Sequence, residues 1–172
     1  MTDPARLRIT PLVDADVDAL AALLWDERVY AHIGGLPTNA DQIALGLRRA
    51  LAGPPPDHPP RQWLNYGMRL REDNTLIGRL EATVHDDGIT EVAYLLAPRF
   101  WGHGYARDGL LWLHEELARV RPDVRCWATT LPANERSSQL LLACGYERVD
   151  PSTAPALDTY DDGDWVFRLA AR

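Results

Sequence analysis

The stretch EVAYLLAPRFWGHGYARDGLLWLHEELARV, Glu91 to Val120, joins an apolar strand to a long helix through a turn with two glycines. Apolar residues after the turn are spaced by four, three, four and three positions, at Ala106, Leu110, Leu113, Leu117 and Val120. This spacing predicts one buried stripe of an amphipathic helix. The helix is therefore expected to begin at the two glycines and to pack against a core.

The glycines before this helix indicate an anion site. Because Gly102 and Gly104 lack Cβ atoms, the backbone can turn sharply and gather unpaired amide N–H groups at the positive end of the helix dipole. A dinucleotide loop of the form G-x-G-x-x-G is excluded, since Arg107 occupies the place of its last glycine. A triphosphate-binding P-loop is excluded because the chain has no lysine. A purely structural joint between strand and helix stays open as the alternative.

Length and composition set the class of protein. The 172 residues are enough for one domain with a substantial core, so a single domain over residues 1–172 is expected. No apolar run approaches the roughly 20 residues of a membrane span, and the first ten residues lack the apolar core of a signal peptide. The sequence therefore predicts a cytoplasmic protein with no membrane partner. Cys126 and Cys144 match no metal-ligand spacing and are expected to be buried thiols, so no metal is predicted.

Charge narrows the class of partner. The net charge of −7 disfavours nucleic acid, whose binding proteins usually display a clustered basic surface, and it favours a cationic amine substrate. All 18 positively charged residues are arginine, which excludes catalysis by lysine. A homodimer is left open as the assembly state.

Hydrophobic periodicity and turn residues predict the remaining elements. Strands are expected at about 6–12, 62–71, 75–85, 90–97, 124–130, 146–149 and 164–169. Besides the central helix, which should begin within residues 102–104 and reach about 120, helices are expected at about 14–25, 38–51 and 134–144. The three strands between residues 62 and 97 are joined by short turns and should therefore be antiparallel neighbours. Five prolines in Gly53–Pro60 are expected to end the second helix and form an extended surface spacer.

Two motifs resemble those of a known family. Residues 99–106, Arg-Phe-Trp-Gly-His-Gly-Tyr-Ala, resemble the Arg/Gln-x-x-Gly-x-Gly/Ala pyrophosphate loop of the GNAT family, the acyl-coenzyme A dependent N-acetyltransferases. Asn134-x-x-Ser137 followed by Gly145-Tyr146 resembles a signature of the branch that includes the ribosomal-protein N-terminal acetyltransferases, called RimJ/RimL-like. Residues 91–94 and 8–12 resemble family strands, so the likeness spans nearly the whole chain.

The resemblance implies an α/β (α+β) fold of three layers. Its central sheet would be mixed and mostly antiparallel, with about seven strands splayed in the middle and about four flanking helices. The pantetheine arm of acetyl-coenzyme A would fill the gap between strands 91–97 and 124–130, paired with main-chain groups, while amides of residues 101–106 would hold the pyrophosphate. The residues expected to bind the coenzyme are Leu95, Leu96, Ala97, Arg99, Trp101, Gly102, His103, Gly104, Tyr105, Ala106, Arg107, Asn134 and Ser137.

The implied reaction requires a base and a proton donor, because a neutral amine must attack the thioester and the thiolate must leave. Glu91 matches the strand glutamate that acts as base in some family members, and Glu81 is its competitor. A solvent-facing carboxylate is the alternative for Glu91. Many members use a tyrosine seven residues after the motif asparagine, where this chain has Leu141. Ser137 is therefore the expected hydrogen-bond donor to the sulfur.

Acceptor recognition is expected in the connection between the first two helices, which lines the acceptor pocket in the resembling family. Trp25, Tyr30 and His32 are the candidates there, and covering the edge of the core is their alternative role. The predicted function is transfer of an acetyl group from acetyl-coenzyme A to a primary amine, of a protein N-terminus or a small molecule, by direct attack in a ternary complex. The alternative is an acyl-coenzyme A sensor or interaction module that has lost turnover.

Overall fold

Seven strands and five α-helices form within residues 4–56 and 61–170, which the computed structural model describes. The strands are β1 (Leu7–Pro11), β2 (Arg61–Leu70), β3 (Leu76–His85), β4 (Ile89–Leu96), β5 (Arg125–Thr130), β6 (Tyr146–Val149) and β7 (Trp165–Leu169). The helices are α1 (Asp14–Leu24), α2 (Glu27–Tyr30), α3 (Ala40–Ala52), α4 (Tyr105–Val120) and α5 (Glu135–Ala143). The proline-rich spacer was predicted over 53–60, and its residues 57–60 lie outside the described part.

The strands form one mixed sheet in the order β1-β2-β3-β4-β5-β7-β6. Antiparallel pairing of β2 with β3 and of β3 with β4 confirms the expected neighbours. In addition, β1 pairs antiparallel with β2, and β4 pairs parallel with β5. That pair shares only three register positions, residues 89–91 opposite 125–127. Beyond them the two strands diverge, which confirms the predicted splay in the middle of the sheet.

Helices cover both faces of the sheet. Leu110, Leu113 and Leu117 of α4 are fully buried against the sheet, as the stripe predicted, whereas Val120 at the end of the helix is 43% exposed. The apolar sides of α1 and α3 pack together in a second cluster that includes Leu20 and Leu47. The three-layer α/β architecture is thus confirmed, with the sheet, which contains the splayed strands, as the middle layer between two layers of helices.

One helix was not expected. The four-residue α2 lies in the segment 26–37, between the first two predicted helices, where no element was expected. The side chain of Asp26 caps it by accepting a hydrogen bond from the Arg28 N–H at 2.9 Å. A single turn is too short to leave a periodic apolar pattern. Both cysteines are buried and unbridged, and burial raises the pKa of the Cys126 thiol to about 12. Among the described helices none has both the length and the hydropathy that a membrane crossing requires.

Candidate active site

The divergence of β4 from β5 opens a cleft of about 940 Å³. Its walls come from both strands, the turn before α4, the start of α5, and the segment between α1 and α3. This volume lies within the usual range for sites that bind small molecules and cofactors. After the roles that the resemblance implies, we call the part of the wall at residues 101–107 the phosphate end, and the part at Tyr30, His32, Glu81 and Asp161 the acceptor end.

At the phosphate end, the backbone adopts a conformation that favours glycine. The φ angles are +79° at Gly102 and +80° at Gly104, and Gly104 is the N-cap of α4 without a side-chain cap. None of the amide N–H groups of residues 102–107 finds an acceptor in the part of the chain that the structure describes. Unused donors at residues 105–107 are normal for the first turn of a helix, and those of residues 102–104 add to them, so the turn has the geometry of an anion site.

A residue that the sequence did not indicate fastens this turn. Arg6 donates a hydrogen bond to the carbonyl oxygen of His103 at 2.8 Å and forms an ion pair with Asp108 at 2.6 Å. Its guanidinium also lies 4.9 Å from the centre of the Tyr105 ring. No local signal exists for this contact, because Arg6 and His103 are 97 positions apart.

Two arginines provide positive charge at the phosphate end. Arg107 lines the cleft, as does Arg136 in the first turn of α5, whose guanidinium lies 4.1 Å from the centre of the Trp101 ring. Arg136 was not among the predicted site residues, although it stands inside the Asn134-x-x-Ser137 motif. The predicted Arg99 instead lies over the ring of Phe100, is exposed and is outside the cleft.

Strand alternation decides which main-chain groups face the gap. The Ala97 N–H donates to the Ile77 oxygen of β3 at 3.1 Å, so residues 93, 95 and 97 direct their backbone groups towards β3. Residues 92, 94 and 96 therefore direct theirs towards the gap. Of the three residues predicted to pair with a pantetheine arm, Leu96 directs its main-chain groups towards the gap, whereas those of Leu95 and the Ala97 N–H face β3. Pairing of the arm with β4 stays a prediction. The indole N–H of Trp101 donates to the Leu96 oxygen at 2.8 Å.

Most of the predicted coenzyme-binding residues line the cleft. The exceptions are Ala97, Arg99 and His103. The ring of His103 is 5.7 Å from that of Tyr105, and its Nδ1 lies 2.8 Å from the Trp101 oxygen. The side chain of His103 thus packs on residues of the turn itself and lies outside the cleft, so His103 shapes the turn only through its main chain.

Glu91 is enclosed and does not line the cleft. Its residue is 3% exposed, and its carboxylate accepts hydrogen bonds from the Thr159 N–H at 2.8 Å, the Thr159 hydroxyl at 2.7 Å, the Asp158 N–H at 3.0 Å and His85 Nε2 at 2.9 Å. The solvent-facing alternative is therefore wrong. Through these hydrogen bonds Glu91 fixes the segment 158–159 to β4. Its role as base stays a prediction.

Glu81 lies at the acceptor end. It projects from β3 beside Ala93 of β4, lines the cleft and is ion-paired with Arg79, which also lines the cleft. Tyr30 lies close to this pair, and burial raises the pKa of its phenol. A carboxylate, a guanidinium and a phenol thus lie close together in the wall of the cleft.

Ser137 lies in the first turn of α5 and lines the cleft. Its N–H donates to the side-chain oxygen of Asn134 at 3.2 Å, so Asn134 is the N-cap of α5 while it also lines the cleft. The Ser137 hydroxyl oxygen is 2.8 Å from the phenol oxygen of Tyr94, a residue that was not among the predictions. Leu141 is buried on the same side of the cleft.

The acceptor candidates divide into two groups. Tyr30 and His32 line the cleft, as predicted. Trp25 does not: its indole N–H donates to the Pro37 oxygen at 3.1 Å and the residue is 47% exposed, so it supports the connection between α1 and α3 from outside.

Comparison with known proteins bears on this geometry. The family model described as acetyltransferase (GNAT) domain matches residues 6–147. A curated relative from Bacillus subtilis, the uncharacterised N-acetyltransferase YoaA, is 21% identical over 145 residues, which cover 83% of this chain and 80% of that protein.

Solved structures share the fold. A GNAT-family acetyltransferase from Bacillus anthracis has a TM-score of 0.75 at 17% identity, covering 95% of this chain and 93% of that one. The ribosomal alpha-N-protein acetyltransferase RimL with coenzyme A has a TM-score of 0.74 at 15% identity, covering 97% and 94%. The aminoglycoside acetyltransferase AAC(6')-Ib with coenzyme A has a TM-score of 0.73 at 21% identity, covering 96% and 95%. With its open strand pair and unpaired amide turn, this chain belongs to the acetyltransferase (GNAT) domain family and is an acetyl-coenzyme A dependent acyltransferase.

Proposed function

We propose that the protein transfers an acetyl group from acetyl-coenzyme A to a primary amine, by direct attack in a ternary complex. One observation carries the proposal: a single cleft joins the unpaired amides of 102–107, the open edge of β4 and the polar acceptor end. The diphosphate of the donor would lie at the phosphate end, and its pantetheine arm along β4. The acceptor would then meet the thioester from the opposite end, as direct attack requires.

Bound acetyl-coenzyme A supplies an activated acetyl carbon, and side chains of the cleft handle the proton and the leaving group. As the N–C bond forms and the C–S bond breaks, the amine loses a proton and the electron pair of the C–S bond stays on sulfur. We assign the proton acceptance to Glu81, directly or through a water, in preference to the enclosed Glu91. The hydroxyl of Ser137 donates a hydrogen bond to the developing thiolate.

The acceptor is inferred to be a cationic amine. Glu81, which is paired with Arg79, and the exposed Asp161 lie at the acceptor end, and the net charge of the chain is −7. Negative charge near a site raises the local concentration of cationic substrates. Both a protein N-terminus, the target named for RimL, and an amino sugar, the target named for AAC(6')-Ib, belong to this chemical class.

The proposal is tested with purified protein, acetyl-coenzyme A and a panel of N-terminal peptides, aminoglycosides and polyamines. Thiol release that depends on an amine, together with the mass of one added acetyl group on that amine, is the expected result. Binding of acetyl-coenzyme A by calorimetry without transfer to any amine would instead support the sensor alternative. Failure to bind acetyl-coenzyme A would remove both.

Replacement of Glu81 by glutamine should lower kcat by about 100-fold at pH 7, since general-base catalysis contributes about 10²–10⁴-fold. The deficit should shrink as pH rises towards the pKa of the acceptor amine, because a neutral amine no longer needs a base. The pH profile of kcat measures both effects. Glu91→Gln is the matched comparison and should lower thermal stability, through its bonds to residues 158–159, without this pH-dependent deficit. The reverse pattern would make Glu91 the base.

Replacement of Arg136 by glutamine should weaken acetyl-coenzyme A binding about fivefold, because an exposed charge pair is worth up to about 1 kcal/mol. The loss should decrease at high salt, where the interaction is screened. Calorimetric Kd values at low and high ionic strength check it. Arg99→Gln removes an exposed arginine of the same region that lies outside the cleft, and its Kd should match the unaltered protein. Equal losses for both variants would contradict the assignment.

A further inference from the structure

A hydrogen bond at the floor of the cleft connects β4 to α5. The phenol oxygen of Tyr94 lies 2.8 Å from Ser137 Oγ and 3.4 Å from the Ser137 carbonyl oxygen, across 43 positions of sequence. Both residues line the cleft, and the Tyr94 ring packs against the core beneath it. A serine at the start of a helix would otherwise be free to rotate its hydroxyl, so this contact restricts a group that faces the site.

The hydroxyl of Ser137 can donate one further hydrogen bond besides its contact with Tyr94. A serine hydroxyl has a single proton and two acceptor lone pairs. If the Tyr94 phenol donates to Ser137 Oγ, the serine proton is available to a third partner. Burial raises the pKa of Tyr94 above its ordinary value, so the phenol keeps its proton over the physiological pH range and remains a donor. The Ser137 N–H is fixed to Asn134, which holds the residue from the other side.

We propose that Tyr94 is a positioning residue for the leaving group: its phenol donates to Ser137 Oγ and thereby directs the Ser137 hydroxyl proton at the departing sulfur. This inference rests on the proposed acetyl transfer. When the C–S bond breaks, the sulfur keeps the electron pair and accepts the hydrogen bond from Ser137. The thiolate takes its proton later from solvent, so neither Tyr94 nor Ser137 gives up a proton. The phenol near Ser137 thus comes from β4, whereas α5 carries Leu141 at the position where many family members have a tyrosine.

The chain provides a matched control in Tyr146. Its phenol oxygen lies 2.8 Å from His114 Nε2, it is 3% exposed, and it does not line the cleft. Tyr94→Phe and Tyr146→Phe each delete one phenolic hydroxyl and its hydrogen bond from the same core, a partly buried bond at Tyr94 and a buried one at Tyr146. Any general effect of that deletion on packing will therefore be seen in both variants, whereas an effect on the sulfur will be seen in Tyr94→Phe alone.

Steady-state kinetics of the unaltered protein, Tyr94→Phe, Ser137→Ala, the double variant and Tyr146→Phe test the proposal. Tyr94→Phe should lower kcat about tenfold, the worth of one hydrogen bond to a charged group, with KM for acetyl-coenzyme A within about twofold. The double variant should be no slower than Ser137→Ala, because Tyr94 acts only through Ser137. Tyr146→Phe should retain kcat. An unchanged kcat in Tyr94→Phe, or additive losses in the double variant, would overturn the proposal.

A binding measurement separates this proposal from the acetyl-transfer function. Calorimetry compares coenzyme A with desulfo-coenzyme A, which lacks the sulfur, between pH 7 and pH 9.5. The unaltered protein should favour coenzyme A increasingly as its thiol ionises, and Tyr94→Phe should lose most of that preference while Tyr146→Phe keeps it. If the protein shows this pattern but transfers no acetyl group, the sulfur contact of Ser137 is supported and the proposed acetyl transfer is refuted. Equal sulfur preference in Tyr94→Phe and the unaltered protein would refute the role of Tyr94.

Discussion

Valine at position 104 is expected to raise the Kd for acetyl-coenzyme A by at least about tenfold. Gly104 has a φ of +80°, and a Cβ built there would lie 3.2 Å from a guanidinium nitrogen of Arg6. A β-branched residue in this conformation costs on the order of 1–3 kcal/mol, so the turn will abandon it and the amides of 102–107 will no longer converge. Isothermal titration calorimetry measures the loss, and each 1.4 kcal/mol corresponds to about tenfold in Kd.

Gly53→Val is the control for backbone strain. Gly53 has a φ of +82°, caps the end of α3 and has no atom within 4 Å of a built Cβ. It does not line the cleft. The two variants should therefore lose similar thermal stability, while only Gly104→Val loses affinity for the coenzyme. If Gly104→Val melted at a lower temperature yet bound acetyl-coenzyme A normally, the glycines would serve only as a joint between strand and helix.

Alanine at position 78 is expected to lower the free energy of unfolding by about 3 kcal/mol, at the upper end of overpacking effects. Gly78 lies on β3 opposite Leu96, and a Cβ there would be 2.2 Å from the Leu95 oxygen and 2.9 Å from the Leu96 Cα. Both are main-chain atoms, which cannot rotate away as a side chain can. The strands β3 and β4 must therefore separate at the edge that faces the cleft. Urea denaturation, analysed by linear extrapolation, measures the change.

Gly67→Ala is the matched control on β2. A Cβ at Gly67 would meet only the side chains of Leu12 and Leu76, each at 3.5 Å, which is ordinary van der Waals contact. The substitution should change the free energy of unfolding by less than about 1 kcal/mol. Equal denaturation midpoints for the two variants would show that the close approach at Gly78 relaxes without cost.

Elements with a strong local pattern were predictable. The stripe of α4 and the glycines before it place the helix start, because helical periodicity and positive φ angles are properties of neighbouring residues. The seven strands followed from alternation and turn residues in the same way. The one-turn α2 left no such pattern and was missed. The main-chain groups of Leu95 and the Ala97 N–H were expected to face the gap but face β3, because their direction depends on which neighbouring strand they pair with.

Long-range contacts account for the remaining differences. Glu91 was predicted to face the site or the solvent, yet its carboxylate is enclosed by Asp158 and Thr159, 67 and 68 positions later in the chain. Tyr94 meets Ser137 only because β4 and α5 flank the same gap. Arg6 reaches the phosphate end because β1 begins near the start of α4.

By itself, the sequence determined the family, the order of elements and the glycine turn that can bind an anion, because each of these is written in residues close together along the chain. Only the tertiary structure decided which carboxylate is exposed to the cleft, which hydroxyl contacts Ser137 and which arginines stand beside the phosphate end. Burial and side-chain hydrogen bonding depend on distances through space, and residues dozens of positions apart leave no trace of those distances in their order.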